Sequence, residues 1–214
     1  MNILAMDTSD REGCAALLAE GRLVGQRRFQ GVEGHMLLLP QAVEALLAAA
    51  AWRPASLDLI VVTVGPGAFT GLRIALGFAK GLAMACHKPL LGISTLDWLA
   101  ATALSTFPPL SPSRPLLVTM DARRGEIFAA LYHPDGRPLW PPRRWLPAAL
   151  AAEIASIPEG VEEVKDGQRE PVVLGQLGWQ RFLRTGSDDP LTLEPLYLRR
   201  SDAEKAVMSP PQTP

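Results

Sequence analysis

The chain has 214 residues, and 48% of them are hydrophobic, which is enough for the core of one large domain or of two small lobes. A formal net charge of −1 argues against binding nucleic acid through a basic field alone, and two cysteines are too few for a disulfide framework or a zinc cluster. There is no signal-type apolar block and no uninterrupted membrane-spanning run, so the sequence predicts a cytoplasmic protein.

The N-terminal part predicts three strands followed by a helix. Apolar runs at 3–6, 15–18 and 23–29 are separated by polar turns, a pattern typical of an antiparallel meander. Residues 35–52 are rich in leucine and alanine and predict a helix, in which Pro40 is tolerated only if it falls in the first turn.

The centre of the chain, residues 59–93, predicts a strand, a glycine turn, a helix and a second strand. The apolar run at 59–64 stops at Gly65-Pro66-Gly67, and apolar residues then recur at helical spacing over 70–86. A second apolar run follows at 90–93, so the two strands are expected to be parallel, joined by a helical crossover. A further helix is predicted at 96–104.

The glycine turn has two interpretations. A glycine-rich turn that opens a helix binds phosphate in some proteins, because its free N–H groups point at the anion. The alternative is a tight structural turn that lets the helix pack closely on the sheet. Gly71 is followed by Leu72 and Arg73 instead of the residues of a P-loop, and Thr70 stands where the dinucleotide fingerprint has glycine. The spacing favours the structural turn.

The second half of the chain repeats part of the first. Four prolines at 106–115 are typical of a linker, and strands are predicted at 116–120 and 126–132. Thr119-Met120-Asp121 corresponds to Ala5-Met6-Asp7, so the sequence predicts two similar lobes, 1–107 and 108–214. The other predicted features are a helix at 148–157, a strand at 171–175, helical structure at 179–183, an ordered segment at 193–199 and a frayed tail at 201–214.

Carboxylates end the first strand of each predicted lobe, at Asp7 and Asp121. Such carboxylates hold metal-bound nucleotides in some proteins, but aspartate is also a common turn former. With Gly67 and Arg73, they are the candidates for a ligand-binding site.

Two further groups of residues have plainer interpretations. Arg123, Arg124 and Glu126 form either a binding cluster or a solvated hairpin tip, and the sequence favours the tip. The three histidines are far apart in the sequence, so no metal site is predicted.

Helices 35–52 and 70–86 carry more apolar surface than a single core-facing stripe requires. The second helix also has a bare stripe, Gly77, Gly81 and Ala85, although each interior glycine lowers helix stability by roughly 1 kcal/mol. The sequence therefore predicts an interface with another chain, and the alternative is that both helices cover their own sheet. The predicted interface residues are Leu38, Ala42, Leu46, Leu72, Arg73, Leu76, Gly77, Lys80 and Gly81.

The motifs resemble the TsaB family, also called YeaZ. The segment GPGAFTGLRIALGFAKGLA at 65–83, preceded by MNILAMDTS and followed by KPLLGISTLDWLA, carries the resemblance, with DARRGEIFAALY at 121–132 and PLYLR at 195–199. Ala68 stands where the family usually has serine, and Gln176 where an aspartate is common. These departures weaken any claim to ligand binding at the two positions.

The resemblance implies an α/β fold with two ribonuclease H-like lobes, of the actin, sugar-kinase and Hsp70 type. It also implies a role in forming N6-threonylcarbamoyladenosine at position 37 of ANN-decoding tRNAs. In that process TsaD is the catalytic subunit, TsaC makes the threonylcarbamoyl-adenylate and TsaE supplies an ATPase. The implied partners are TsaD, TsaE, TsaC, tRNA through the complex, and a second copy of the chain when TsaD is absent. ATP or ADP would belong to the complex and not to this chain alone.

The resemblance further implies that the chain is not an enzyme. In TsaD two histidines four residues apart bind the metal, and the matching positions here are Thr95 and Leu99, of which leucine cannot ligate a metal at all. The motif at 31–35 imitates the histidine motif but precedes the glycine turn. Thr8 and Ser9 fill the place of the phosphate-loop glycine of related kinases. The alternative is an active small-molecule kinase or metallopeptidase of the same fold.

Overall fold

Two β-sheets organise the chain in the computed structural model, which describes residues 1–31, 34–106 and 113–198. The strands and helices are, in chain order, β1 (Asn2–Asp7), β2 (Glu12–Ala19), β3 (Arg22–Gln30), α1 (His35–Ala49), β4 (Leu59–Gly65), α2 (Phe69–Cys86), β5 (Leu90–Ser94), α3 (Thr95–Thr106), β6 (Leu116–Asp121), β7 (Ile127–Tyr132), β8 (Pro138–Trp145), α4 (Pro147–Ala155), β9 (Glu162–Lys165) and α5 (Pro171–Thr185).

The first sheet has the strand order β3-β2-β1-β4-β5 and contains both predicted units. β1, β2 and β3 are antiparallel neighbours, as the predicted meander requires. β4 and β5 run parallel to β1, with Ile3 opposite Leu59, so the predicted crossover through α2 is confirmed. Helices α1 and α2 pack on one face, and α5 and Trp98 of α3 pack on the other. The central strands are buried because both faces are covered.

The strand predicted at 171–175 is wrong, because this segment begins α5. Pro171 lies in the first turn, where its fixed φ suits a helix and its missing N–H is not needed. Two adjacent valines favour a strand locally, but packing on the first sheet overrides that preference. A Cβ at Gly178 would lie 2.4 Å from a methyl carbon of Val61, so the helix backbone rests directly on the strands.

Helix α5 also changes the division of the chain into lobes. The prediction assigns 108–214 to the second lobe, whereas α5 packs against β1, β2, β4 and β5 of the first sheet. The described part of the second lobe therefore comprises β6 to β9 and α4, and the chain returns to the first lobe through residues 166–170.

The second sheet, β8-β7-β6-β9, repeats the pairing pattern of the first. β6, β7 and β8 are antiparallel neighbours, and β9 runs parallel to β6 as β4 does to β1. This repetition is what a duplicated lobe predicts. The edge strands β8 and β9 have no counterpart among the predicted strands, and β8 contains prolines, which edge strands tolerate. Helix α4 corresponds to the helix predicted at 148–157.

Residues 193–198, called the C-terminal strap from here on, connect the two lobes. Leu193 packs against the core of the first lobe, and Leu198 against the core between α3 and the second sheet. The strap coincides with the ordered segment predicted at 193–199, as far as the structure describes it. The predicted linker at 106–115 lies partly, and the predicted tail at 201–214 wholly, outside the described residues.

Candidate partner-binding face and inter-lobe cleft

The glycine turn packs tightly against the turn that follows β1. The backbone N–H of Ala68 donates to the carbonyl of Ser9 at 2.7 Å, and the Thr8 hydroxyl donates to the carbonyl of Gly71 at 2.7 Å. A Cβ at Gly71 would lie 1.8 Å from the Thr8 carbonyl oxygen, and one at Gly67 would lie 2.7 Å from the Ser9 Cβ. Close backbone packing therefore explains both glycines without a ligand.

Asp7 lies inside this packed region and orders the turn. It is fully buried, and it accepts hydrogen bonds from the Thr63 hydroxyl and from the backbone N–H of Ser9. Burial raises the pKa of the Asp7 carboxyl, although the hydrogen bonds from Thr63 and Ser9 lower it in part. A carboxylate enclosed in this way is not exposed to a nucleotide between the lobes, and its hydrogen bonds through Oδ1 stabilise the turn after β1.

A cleft of about 740 Å³ separates the lobes. Among its lining residues, Asp121 accepts a hydrogen bond of 2.7 Å from the backbone N–H of Arg123, which is turn chemistry. Arg169 forms an ion pair of 2.7 Å with Asp10, and Asp166 adds a further carboxylate. The described part of the lining thus has no excess of positive charge for a phosphate.

The nucleotide and metal that this type of fold implies do not fit the residues present. The space beside the glycine turn is filled by the Thr8 and Ser9 backbone, and Asp7 is enclosed. Within residues 1–31, 34–106 and 113–198, no three histidine, cysteine, aspartate or glutamate residues are grouped to hold a metal ion. Thr95 and Leu99, at the positions of the metal histidines of TsaD, are both buried in α3.

The predicted interface residues divide into those that face the first sheet and those that face away from it. Leu46 and Leu76 are buried in the core of the first lobe, and Leu72 is buried beside Gly65 at the end of β4, so these three side chains face their own sheet. Leu38, Ala42 and Lys80 are half-buried, whereas Arg73, Gly77 and Gly81 are exposed. The inward sides of the helices therefore cover their own sheet, and the interface with another chain stays a prediction for the outward sides.

The outward sides of α1 and α2, called the helical face from here on, are apolar and uncovered. Met36 is 72% exposed, Leu37 65% and Met84 53%. A Cβ at Gly77 or Gly81 would meet no atom within 4 Å, so none of the described residues packs on the glycine stripe. By length and composition α2 could cross a membrane, but its inner side, a third of the helix, is buried on the first sheet. An apolar face of this kind is typical of a protein interface.

A groove of about 500 Å³ lies between α1 and α2 on the helical face. One end of it is formed by a stack of three side chains. Arg73 Nε donates a hydrogen bond of 2.8 Å to the Tyr197 hydroxyl, and its guanidinium lies 3.9 Å from the ring centre of Phe69. The Phe69 and Tyr197 rings are stacked with their centres 5.2 Å apart. The residues that line the groove are Met36, Pro40, Phe69, Thr70, Arg73, Ile74 and Phe78.

The stack contains residues that the sequence pattern misses. Tyr197 stands in the PLYLR motif, which carries part of the resemblance, but 124 positions separate it from Arg73. No local periodicity can pair residues so far apart. Arg73, a candidate for anion binding by sequence, instead has its side chain held by Tyr197 and Phe69.

Comparison with known proteins agrees with the motifs. The family model for TsaD, tRNA N6-adenosine threonylcarbamoyltransferase, matches residues 25–139, more than half of the chain. The tRNA threonylcarbamoyladenosine biosynthesis protein TsaB of Escherichia coli K12 is 30% identical over 193 residues, which cover 90% of this chain and 78% of that protein. The chain belongs to the TsaB family. The TsaB protein of Bacillus subtilis is 36% identical over 132 residues, covering 62% of this chain and 55% of its own.

The fold agrees with TsaB membership. The structure of YeaZ from Pseudomonas aeruginosa superimposes with a TM-score of 0.73 at 26% identity, covering 92% of this chain and 99% of that one. The predicted α/β fold with two sheets is thus confirmed for this member of the TsaB family. The residues that match the TsaD model include α1, the glycine turn and α2. The helical face therefore lies in the part that the TsaB and TsaD families share.

Proposed function

We propose that the chain is a non-catalytic subunit that binds and activates TsaD in forming N6-threonylcarbamoyladenosine at position 37 of ANN-decoding tRNAs. It acts in the cytoplasm, and TsaE, TsaC and tRNA join through the complex with TsaD. A second copy of the chain occupies the TsaD-binding surface when TsaD is absent. The observation that carries this proposal is the uncovered helical face, with exposed apolar side chains beside a bare glycine stripe.

The glycine stripe supports a helical partner. Because Gly77 and Gly81 have no side chains and none of the described residues packs on them, the backbone of another helix can approach α2 closely. The exposed methionines Met36 and Met84 flank this region with flexible apolar side chains that adapt to a partner. A specific interface here should bury on the order of 1,600 Å² in total.

The composition of the cleft supports a non-catalytic role. Asp7 is enclosed, and the turn after β1 fills the space that a phosphate would need. Thr95 and Leu99 offer no imidazole where the resemblance places the metal ligands of TsaD. No described feature favours the alternative, an active kinase or metallopeptidase.

The proposal is tested with two variants of the helical face and a control. Gly81→Leu fills the open stripe, and Met84→Glu places a charge beside it on the helical face. None of the described residues packs on Gly81, and Met84 is 53% exposed, so both variants should keep their melting temperature within a few degrees, while Gly81→Leu gains up to about 1 kcal/mol of helix propensity. Capture of purified TsaD from the same organism should be lost or strongly reduced in both.

The matched control is Leu183→Glu, which makes the same kind of change at a leucine 70% exposed on α5, on the other side of the first sheet. This variant should capture TsaD as the wild type does. Wild-type capture by Gly81→Leu and Met84→Glu would refute the helical face as the TsaD-binding surface.

A further inference from the structure

The C-terminal strap runs across the first lobe beside the glycine turn. The backbone N–H of Leu196 donates to the carbonyl of Val64 at 2.6 Å, and a Cβ at Gly65 would lie 3.2 Å from the Leu196 carbonyl oxygen. Leu193 packs over Gly92, and a Cβ added at this glycine would lie 2.9 Å from a Leu193 methyl carbon. The strap is therefore attached near the end of β4 and at the middle of β5, and this attachment fixes where Tyr197 lies.

Tyr197 contacts two residues that form the wall of the groove. Its ring stacks on Phe69, and its hydroxyl accepts the hydrogen bond from Arg73 Nε. Phe69 is 42% exposed and begins α2, and Arg73 is exposed one turn later. Without Tyr197, Arg73 would lose its hydrogen bond and Phe69 its stacked ring, so both side chains would gain conformational freedom at the surface. An arginine side chain in particular loses much conformational entropy when it is ordered.

We propose that Tyr197 is a positioning residue for the partner-binding face. It holds Phe69 and Arg73 in the arrangement that shapes the end of the groove, so the entropy of ordering them is already lost before the partner arrives. This inference rests on the proposed function, because the partner is the protein that binds the helical face. Tyr197 acts through its two neighbours and forms part of the stack behind them.

The strap also ties the helical face to the second lobe. Leu198 packs against the core between α3 and the second sheet, next to Tyr197 in the chain. Leu196, Tyr197 and Leu198 line the inter-lobe cleft, which shares Phe69 with the groove. The face that the partner meets is therefore complete only when the strap is seated against both lobes.

The test measures the dissociation constant of the full chain with TsaD of the same organism by isothermal titration calorimetry. Tyr197→Ala removes the ring and the hydroxyl and should raise the constant on the order of tenfold. Tyr197→Phe keeps the ring and loses the hydrogen bond, and should raise the constant about threefold. Tyr132→Phe removes a tyrosine hydroxyl bond on the second sheet, so it should lower the melting temperature without changing the constant.

A double-mutant cycle separates positioning from a merely structural role. If Tyr197 acts through Arg73, the double variant with Tyr197→Ala and Arg73→Ala should raise the dissociation constant by much less than the product of the two single fold-changes. Tyr197→Ala and Leu37→Ala, at a residue of the helical face outside the stack, should combine multiplicatively. A multiplicative result for the pair with Arg73 would overturn the inference.

The outcomes separate this inference from the proposed function. If the wild type binds TsaD and Tyr197→Ala binds it equally well, the positioning role is refuted and the proposed function stands. If the wild-type chain does not bind TsaD, the proposed function itself fails and the inference falls with it. If Tyr197→Ala does not fold, Tyr197→Phe decides alone, and a dissociation constant equal to that of the wild type overturns the inference.

Discussion

The hydroxyl of Tyr132, in β7, donates a hydrogen bond of 2.7 Å to Oδ1 of Asp97, in the first turn of α3. This hydrogen bond links α3, which follows the last strand of the first sheet, to a strand of the second sheet. Burial raises the pKa of the Asp97 carboxyl above its ordinary value of 3.8, although the bond from Tyr132 lowers it in part. Burial, and then the charge of Asp97, raise the pKa of the Tyr132 phenol. We therefore expect the stability of the junction between the lobes to depend on pH.

We expect Asp97→Asn to change how stability depends on pH. Because its folded-state pKa is raised, Asp97 keeps its proton to a higher pH in the folded chain than in the unfolded chain. Its stabilising contribution is full below the unfolded pKa near 3.8 and is lost as the pH rises through the folded pKa. Asparagine has no such loss. In urea titrations, the free energy of unfolding of Asp97→Asn, relative to that of the wild type, should therefore increase as the pH rises through this window.

Asp135 provides a control of opposite sign. Hydrogen bonds from the backbone and side chain of Arg137 lower the pKa of this exposed carboxyl to about 2. Asp135 thus adds stability above its unfolded pKa that is lost as the pH falls through the folded one. The free energy of unfolding of Asp135→Asn, relative to that of the wild type, should therefore decrease as the pH rises from about 2 to 3.8. A constant difference between Asp97→Asn and the wild type over its window would contradict the raised pKa.

Two glycines of α2 should respond in opposite ways to the same substitution. In Gly71→Ala the new methyl group would lie 1.8 Å from the Thr8 carbonyl oxygen, which belongs to the backbone and cannot rotate away. We expect this change to lower the free energy of unfolding by about 1–3 kcal/mol or more, as overpacking does in cores. In Gly77→Ala the methyl group enters open space, so the gain in helix propensity should raise stability by up to about 1 kcal/mol. Guanidinium unfolding of both variants measures the difference.

The result for this pair has a clear contrary outcome. If Gly71→Ala were as stable as the wild type, the turn after β1 would not be packed on the glycine turn as described, and space for a ligand would reopen there. A loss of stability in Gly77→Ala would place other atoms against the glycine stripe in the chain alone.

Asp188 should protect the free edge of the first sheet. Its carboxylate accepts a hydrogen bond of 2.8 Å from the backbone N–H of Gly92 in β5 and pairs with Arg181 at 2.7 Å. Its own backbone N–H donates to the carbonyl of Leu90. Asp188→Ala leaves the N–H of Gly92 and the guanidinium of Arg181 without this partner. It should lower the free energy of unfolding by about 1–3 kcal/mol and promote association through the exposed edge.

The control is Asp189→Ala at the next position, whose carboxylate accepts from the backbone N–H of Leu191 in a local turn. That variant should lose less stability and should not associate. Differential scanning calorimetry gives the stability, and light scattering gives the association. Equal behaviour of the two variants would show that Asp188 has no special role at the edge.

The sequence alone determined the units built from neighbouring residues. The strands at 3–6 and 59–64 and the crossover through α2 followed from apolar runs and helical spacing, because each reflects contacts within one element or with the next. The glycine turn could be located for the same reason, since glycine and proline act on the backbone where they stand. The echo around Asp7 and Asp121 located the ends of β1 and β6, the corresponding strands of the two sheets.

Only the tertiary structure decided which side of each element is covered. Leu46 and Gly81 were both predicted at the interface, but the rotation of their helices against the sheet buries the first and exposes the second. Residues 171–175 became helical because of the strands beneath them, not through local propensity. Arg73 and Tyr197 meet because two elements far apart in the chain pack at the same sheet end. Packing of this kind depends on the shape and orientation of whole elements, which no window of neighbouring residues contains.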